Sequence, residues 1–217
     1  MSRRPIVIGV TGGIGAGKST AVEAFARRGA AVFSADAAVH DLYRTDEVRE
    51  PVCARWGDDV VNSSGAVDRA RVADIVFAQP EELAWLESLL HPLVAREWLR
   101  FLDRAGSTDT PPEFVVAEVP LLFEAGLGDR YDATVLITAP LALRLVRVGE
   151  RAQGTGHAEV RAARQMSEQQ QAELADFSFV NAGDPEKMVG FVDDVIKQVR
   201  SMPSRARAGA TDTAEDA

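Results

Sequence analysis

The sequence predicts an α/β fold: a five-stranded parallel sheet covered by helices, with a helical lobe inserted after the second strand. Three observations predict it. Short aliphatic runs alternate with helical patterns along most of the chain, as in sheets covered on both faces. A glycine-rich loop, Gly12 to Ser19, joins the first aliphatic run to the first helical pattern. The interval from about 37 to 112 abandons the alternation and reads as one helix after another.

Ile6 to Val10 is a short apolar run that reads as a buried strand. The helix from about Lys18 places Val22, Phe25 and Ala26 on one face and stops before Gly29. Ala30 to Ser34 forms the second strand, which ends at Ala35-Asp36. The inserted interval carries helical patterns at Val39–Tyr43, Glu47–Trp56, Arg69–Phe77 and Pro80–Leu102. Its natural roles are a lobe over an acceptor substrate or a packed helical extension. Within the last pattern, His91 precedes Pro92, which predicts a break or kink. A histidine there either meets substrate or packs. Trp56, Trp85 and Trp98 are assigned to the core, because indole buries a large area. Phe114–Val119, Thr134–Thr138 and Phe177–Val180 supply the remaining strands, and Leu141–Glu150 and Pro185–Val199 are helices.

The composition narrows the function. The chain has 217 residues and a formal net charge of −9, which argues against a nucleic-acid partner. Cys53 is the only cysteine, so no intrachain disulfide forms. The opening "MSRRP" lacks an apolar signal region, and no apolar run reaches membrane-spanning length. The expectation is a soluble cytoplasmic protein, a monomer or small homo-oligomer, acting on small molecules. Residues 1–200 read as one domain, and Ser201 to Ala217 as a disordered tail without apolar periodicity.

Gly12-Gly-Ile-Gly-Ala-Gly-Lys-Ser19 matches G-x-x-x-x-G-K-[ST] at every fixed position. Glycines let the backbone bring its N–H groups close to a ligand, and the following helix N-terminus favours an anion. Lys18 then reaches the β- and γ-phosphates, and the Ser19 hydroxyl ligates Mg²⁺. The base-reading N-K-x-D element of GTPases is absent from the sequence, as is the acidic pair of motor ATPases. Arg144, Arg147, Arg151, Arg161 and Arg164 cluster around "AQGTGH". They read as a lid over phosphates at about 145–172, or as a solvated basic helix face. Asp36 follows the second strand, where an open parallel sheet meets its ligand. It is read equally as a base for an acceptor hydroxyl or as a helix N-cap. Glu118 ends the third strand and positions Mg²⁺, a water or substrate, or has no special role. The three histidines lack metal-ligand spacing.

Several segments together resemble the dephospho-CoA kinase family. They are "TGGIGAGKST" at Thr11–Thr20, Ser34-Ala-Asp36, "VDRARVADIVF" at Val67–Phe77, His91-Pro92 and, most specifically, "PLLFEAGL" at Pro120–Leu127. Arg147 and Arg151, Arg161 and Gln165, Ala175-Asp176 and Asn181 extend the likeness, which covers nearly all of residues 5–198. The resemblance implies a P-loop nucleotide-kinase-like fold with a CoA-binding lobe and a lid. It implies transfer of the γ-phosphate of ATP to the 3′-hydroxyl of dephospho-CoA, with ATP and Mg²⁺ required. Asp36 would be the base, Lys18 would serve the phosphates, and Arg147 would sit over the transferring group. Gly13, Gly15, Ala16, Gly17, Ser19, Thr20, Arg144 and Arg151 would hold ATP. His91, Glu118, Pro120, Leu122 and Glu124 would join Asp36 in holding the acceptor. The chain departs from the family at three places. Ser34 replaces an Asp, Glu118 stands where Asp is common, and Gln171 where a basic residue is frequent, which removes one charge from the ATP contacts.

Overall fold

The computed structural model describes residues 4–150 and 165–203. Strands β1 (Ile6–Thr11), β2 (Ala31–Ser34), β3 (Phe114–Glu118), β4 (Ala133–Thr138) and β5 (Phe177–Val180) form one sheet in the order β2-β3-β1-β4-β5, and every pairing is parallel. Val10 and Ser34 both pair with Glu118. The three strands therefore finish in one row. The glycine loop, the segment after Ser34 and the Glu118 carboxylate leave the sheet at the same edge.

Both faces of the sheet are covered. Ile8, Val10, Val116, Val135 and Ile137 pack against Phe25 of α1 (Lys18–Ala26) and Met188, Val192 and Val195 of the C-terminal helix (Pro185–Val199). Val7, Phe33, Val115 and Ala117 face the other way, onto Leu122, Tyr131 and the partly buried Trp98 and Phe101. Successive residues of β1 thus feed opposite cores, and the strand reads as a continuous apolar run rather than an alternating one.

The inserted lobe consists of α2 (Ala35–Leu42), α3 (Asp46–Trp56), α4 (Arg69–Ala78) and α5 (Pro80–Gly106), with a short antiparallel bridge between Val61 and Val67. It has its own core of Tyr43, Val48, Val52, Val72, Val76, Leu86 and Leu90. The tryptophans are packing residues. The rings of Trp56 and Trp85 lie 5.0 Å apart, and the Trp98 ring lies 5.1 Å from Phe33.

Of the break or kink expected at His91-Pro92, the break does not occur, since α5 runs through it as far as Gly106. A mid-helix proline costs about 3 kcal/mol. Burial of Leu86 and Leu90, with Leu93 and Val94 packed beside them, outweighs that cost. The packed chain also runs beyond residue 200, because Met202 sits against the core under the C-terminal helix. Residues 204–217 of the expected tail lie outside the described residues, as do Arg151, Arg161, Arg164 and the "AQGTGH" stretch of the expected lid. That region is flanked by α6 (Leu141–Glu150) and α7 (Glu168–Leu174), and Pro185–Val199 is α8. Among the described residues, no helix is long and apolar enough to cross a membrane.

Candidate active site

The glycine loop needs its glycines for space. Gly17 has φ +99°, and a Cβ there would stand 2.2 Å from Asn181 Nδ2. Gly12 has φ +141°, and a Cβ there would stand 2.0 Å from the Ile137 carbonyl oxygen. The loop is pressed between the ends of β4 and β5, so no side chain fits where backbone must approach backbone.

A loop that turns N–H groups towards an anion turns carbonyls away from it, and those carbonyls need donors. Every carbonyl from Gly12 to Ala16 has one from a side chain. Lys18 Nζ donates to Gly12 O at 2.9 Å and Gly13 O at 3.2 Å. Gln165 Nε2 donates to Gly12 O at 3.4 Å and to Pro120 O at 3.0 Å. Arg144 Nε donates to Ile14 O at 2.9 Å, and Arg147 to Gly15 O at 3.1 Å and Ala16 O at 3.4 Å. Asn181 Nδ2 donates to Ala16 O at 2.8 Å. Three of these donors are cationic, which concentrates positive charge on the loop of an acidic chain.

The arginines are therefore loop supports. Arg144 is also fixed by Glu168 at 2.6 Å, at the start of α7. The resemblance implies Arg147 over the transferring group; in this structure its guanidinium braces the loop backbone. Gly13, Gly15, Ala16, Lys18 and Ser19 fall on this loop and the first turn of α1, as expected, with Thr20 beside them. The Ser19 hydroxyl donates to Glu118 Oε1 at 3.3 Å, which joins the loop to the end of β3.

Asp36 is not the cap of its helix. α2 begins at Ala35, and the Ser34 hydroxyl accepts from the Ala37 N–H at 3.2 Å. The serine that replaces an Asp of the family motif thus fills a role that either residue performs. Asp36 lies in the first turn, exposed, and its carboxylate has no hydrogen bond or ion pair among the described residues. The structure removes the capping alternative and leaves a free carboxylate two residues past the strand end.

The other acceptor residues divide. His91 is exposed on α5, so the packed alternative falls. Pro120 is half-buried and offers its carbonyl to Gln165. Leu122 is fully buried in the core with Tyr131 and Phe123, where it packs. Glu124 is turned into the protein: Oε1 accepts from Met166 N at 2.8 Å and Gln171 Nε2 at 2.9 Å. Gln171 is buried, and its side-chain amide is taken by Glu124. Sequence reasoning gave Gln165 and Asn181 no chemical task. Their only signal was the resemblance, because each acts on a loop far away in the chain.

Among the described residues, no cluster of three or more His, Cys, Asp or Glu could hold a metal. The hard oxygens of Ser19 and Glu118 fit Mg²⁺, which takes few protein ligands beside substrate phosphates and water.

The chain is similar to known proteins in sequence and fold. A family model described as dephospho-CoA kinase matches residues 6–186. A dephospho-CoA kinase from Methylococcus capsulatus is 38% identical over 192 residues, 87% of this chain and 93% of that protein. A solved structure from Thermus thermophilus superposes with a TM-score of 0.73 at 34% identity, covering 90% of this chain and 98% of the other. A shikimate kinase from Bacteroides thetaiotaomicron shares the fold, with a TM-score of 0.51 at 16% identity over 90% of this chain and 98% of that one.

Proposed function

The chain belongs to the dephospho-CoA kinase family, and from that premise we propose that its sheet edge transfers the γ-phosphoryl group of ATP to the 3′-hydroxyl of the dephospho-CoA ribose. The activity is that of an ATP-dependent kinase, and the product is coenzyme A in the last step of its synthesis. In this reading the enzyme works on small molecules in the cytoplasm.

One observation carries the assignment of roles: the exposed Asp36 carboxylate, relieved of capping by Ser34, leaves the sheet in the same row as the glycine loop. The loop amides and Lys18 hold the phosphates of ATP and offset the charge that develops on their oxygens. Asp36 accepts the proton of the 3′-hydroxyl as that oxygen bonds to the γ-phosphorus. The bond from the γ-phosphorus to the β–γ bridging oxygen breaks, and ADP leaves with the electron pair. Arg144, Arg147, Gln165 and Asn181 act one step removed. They fix the loop carbonyls, so the amides are aimed before substrate arrives. Ser19 and Glu118 would hold Mg²⁺, which when bound neutralises phosphate charge. The lobe α2–α5 supplies the acceptor side, with His91 exposed on α5.

Incubation of the purified protein with ATP, Mg²⁺ and dephospho-CoA, followed by mass detection, should show coenzyme A and ADP in equal amounts. Hydrolysis of ATP without a rise in coenzyme A would refute the assignment.

A further inference from the structure

Asp36 shares its face of α2 with His40, one helical turn on. The buried side of this helix is made by Leu42 and the partly buried Val39 and Ala38; Asp36, Ala37 and His40 are exposed. Residues four apart on a helix are neighbours, with Cβ atoms about 5–6 Å apart. His40 Nδ1 lies 2.5 Å from a terminal guanidinium nitrogen of Arg69, the first residue of α4. Arginine only donates, so Nδ1 accepts and the ring's remaining N–H is on Nε2. The same guanidinium lies over the Tyr43 ring, 5.7 Å from its centroid.

Arg69 differs from its neighbours in charge pairing. Arg44 pairs with Asp41 and Arg71 with Asp68. Arg69 has no carboxylate partner among the described residues, although the chain carries 33 acidic residues against 24 basic ones. Its charge is held on the His40 ring nitrogen and an aromatic face, so its other N–H groups stay available. A fork of that kind suits a phosphate ester.

We infer that Arg69, oriented by His40 and Tyr43, binds the 5′-diphosphate of the acceptor. The inference rests on the dephospho-CoA reading above. In that substrate the diphosphate hangs from the 5′ carbon of the ribose whose 3′-hydroxyl reacts, so the two groups are separated by little more than the sugar ring. One helical turn between Asp36 and His40 spans a comparable distance. Ala37, small and exposed between them, leaves room for the sugar. The pair fixes which ribose hydroxyl meets the base, and it distinguishes a nucleotide carrying a diphosphate from a bare nucleoside.

The test is steady-state kinetics on the full chain, with dephospho-CoA and ATP varied separately and a melting curve for each variant. Arg69→Ala should raise the KM for dephospho-CoA about ten- to a hundredfold, the scale of losing a charged donor to an anion, while the KM for ATP holds. Arg69→Lys should recover part of that loss, and His40→Ala should raise the same KM by a smaller factor. An unchanged KM for dephospho-CoA in folded Arg69→Ala overturns the inference. So does a rise in both KM values together with a lowered Tm, which marks a structural role. Wild-type protein that fails to phosphorylate dephospho-CoA overturns the proposed function, and this inference with it. Active wild type beside an unaffected Arg69→Ala overturns the inference alone.

Discussion

The Ser34 hydroxyl lies 3.2 Å from the Ala37 amide nitrogen, and this contact frees Asp36 from the helix cap. Capping therefore falls to Ser34, and the proposed base, Asp36, stands two residues further on. Asp36→Asn removes the proton acceptor and leaves the cap intact. It should lower kcat roughly a hundredfold with an unchanged Tm. Ser34→Ala should do the reverse, costing about 1 kcal/mol of stability. Thermal melts and initial rates on the two variants check both halves, and a folded Asp36→Asn protein with normal kcat would return the carboxylate to a passive role.

Lys18 is held across the first turn of the loop by Gly12 O and Gly13 O. Its charge serves oxygens that become more negative during transfer, so Lys18→Ala should remove most turnover. A coupled ADP assay measures this. Near-normal turnover would contradict the phosphate-loop assignment.

Gly17 has no room for a methyl group, and its φ suits glycine alone. Gly17→Ala should cost at least about 1–3 kcal/mol from the strained backbone, and ATP binding should weaken as the loop shifts. Denaturant melts and ATP titration report the two effects. The double variant with Asn181→Ala should recover little, because the positive φ persists and the bond to Ala16 O is lost. Full recovery would show that the clash was the whole effect.

Gln171 ties α7 to the loop after β3 through Glu124. Gln171→Leu keeps the volume but removes the donor, leaving Glu124 Oε1 with Met166 N alone. The expected cost is about 1–3 kcal/mol, with the KM for ATP little changed, since the side chain is buried and its amide is taken by Glu124. A raised KM for ATP at unchanged stability would instead place position 171 at the nucleotide.

How much of this was legible without coordinates can be traced through single elements. β5 at Phe177–Val180 and the helix Pro185–Val199 have the bounds that their apolar spacing predicts, because that spacing is local and repeats within the element. α2 starts at Ala35, four residues before the pattern Val39–Tyr43, because Ser34 both ends a strand and caps a helix, and strand patterning hides the cap.

The sequence by itself determined the alternation that makes a parallel sheet, the loop chemistry of Gly12 to Ser19, and a carboxylate just past the second strand. These depend on residues close together in the chain, whose spacing sets backbone geometry directly. Only the tertiary structure decided that α5 passes through Pro92, that Leu122 and Glu124 turn inward, and that Arg144, Arg147, Gln165 and Asn181 close on the loop carbonyls. Each of those outcomes is settled by what a side chain meets when β1 lies between β3 and β4. Local periodicity carries no record of that order, since it marks which face of an element is buried and not which distant element covers it.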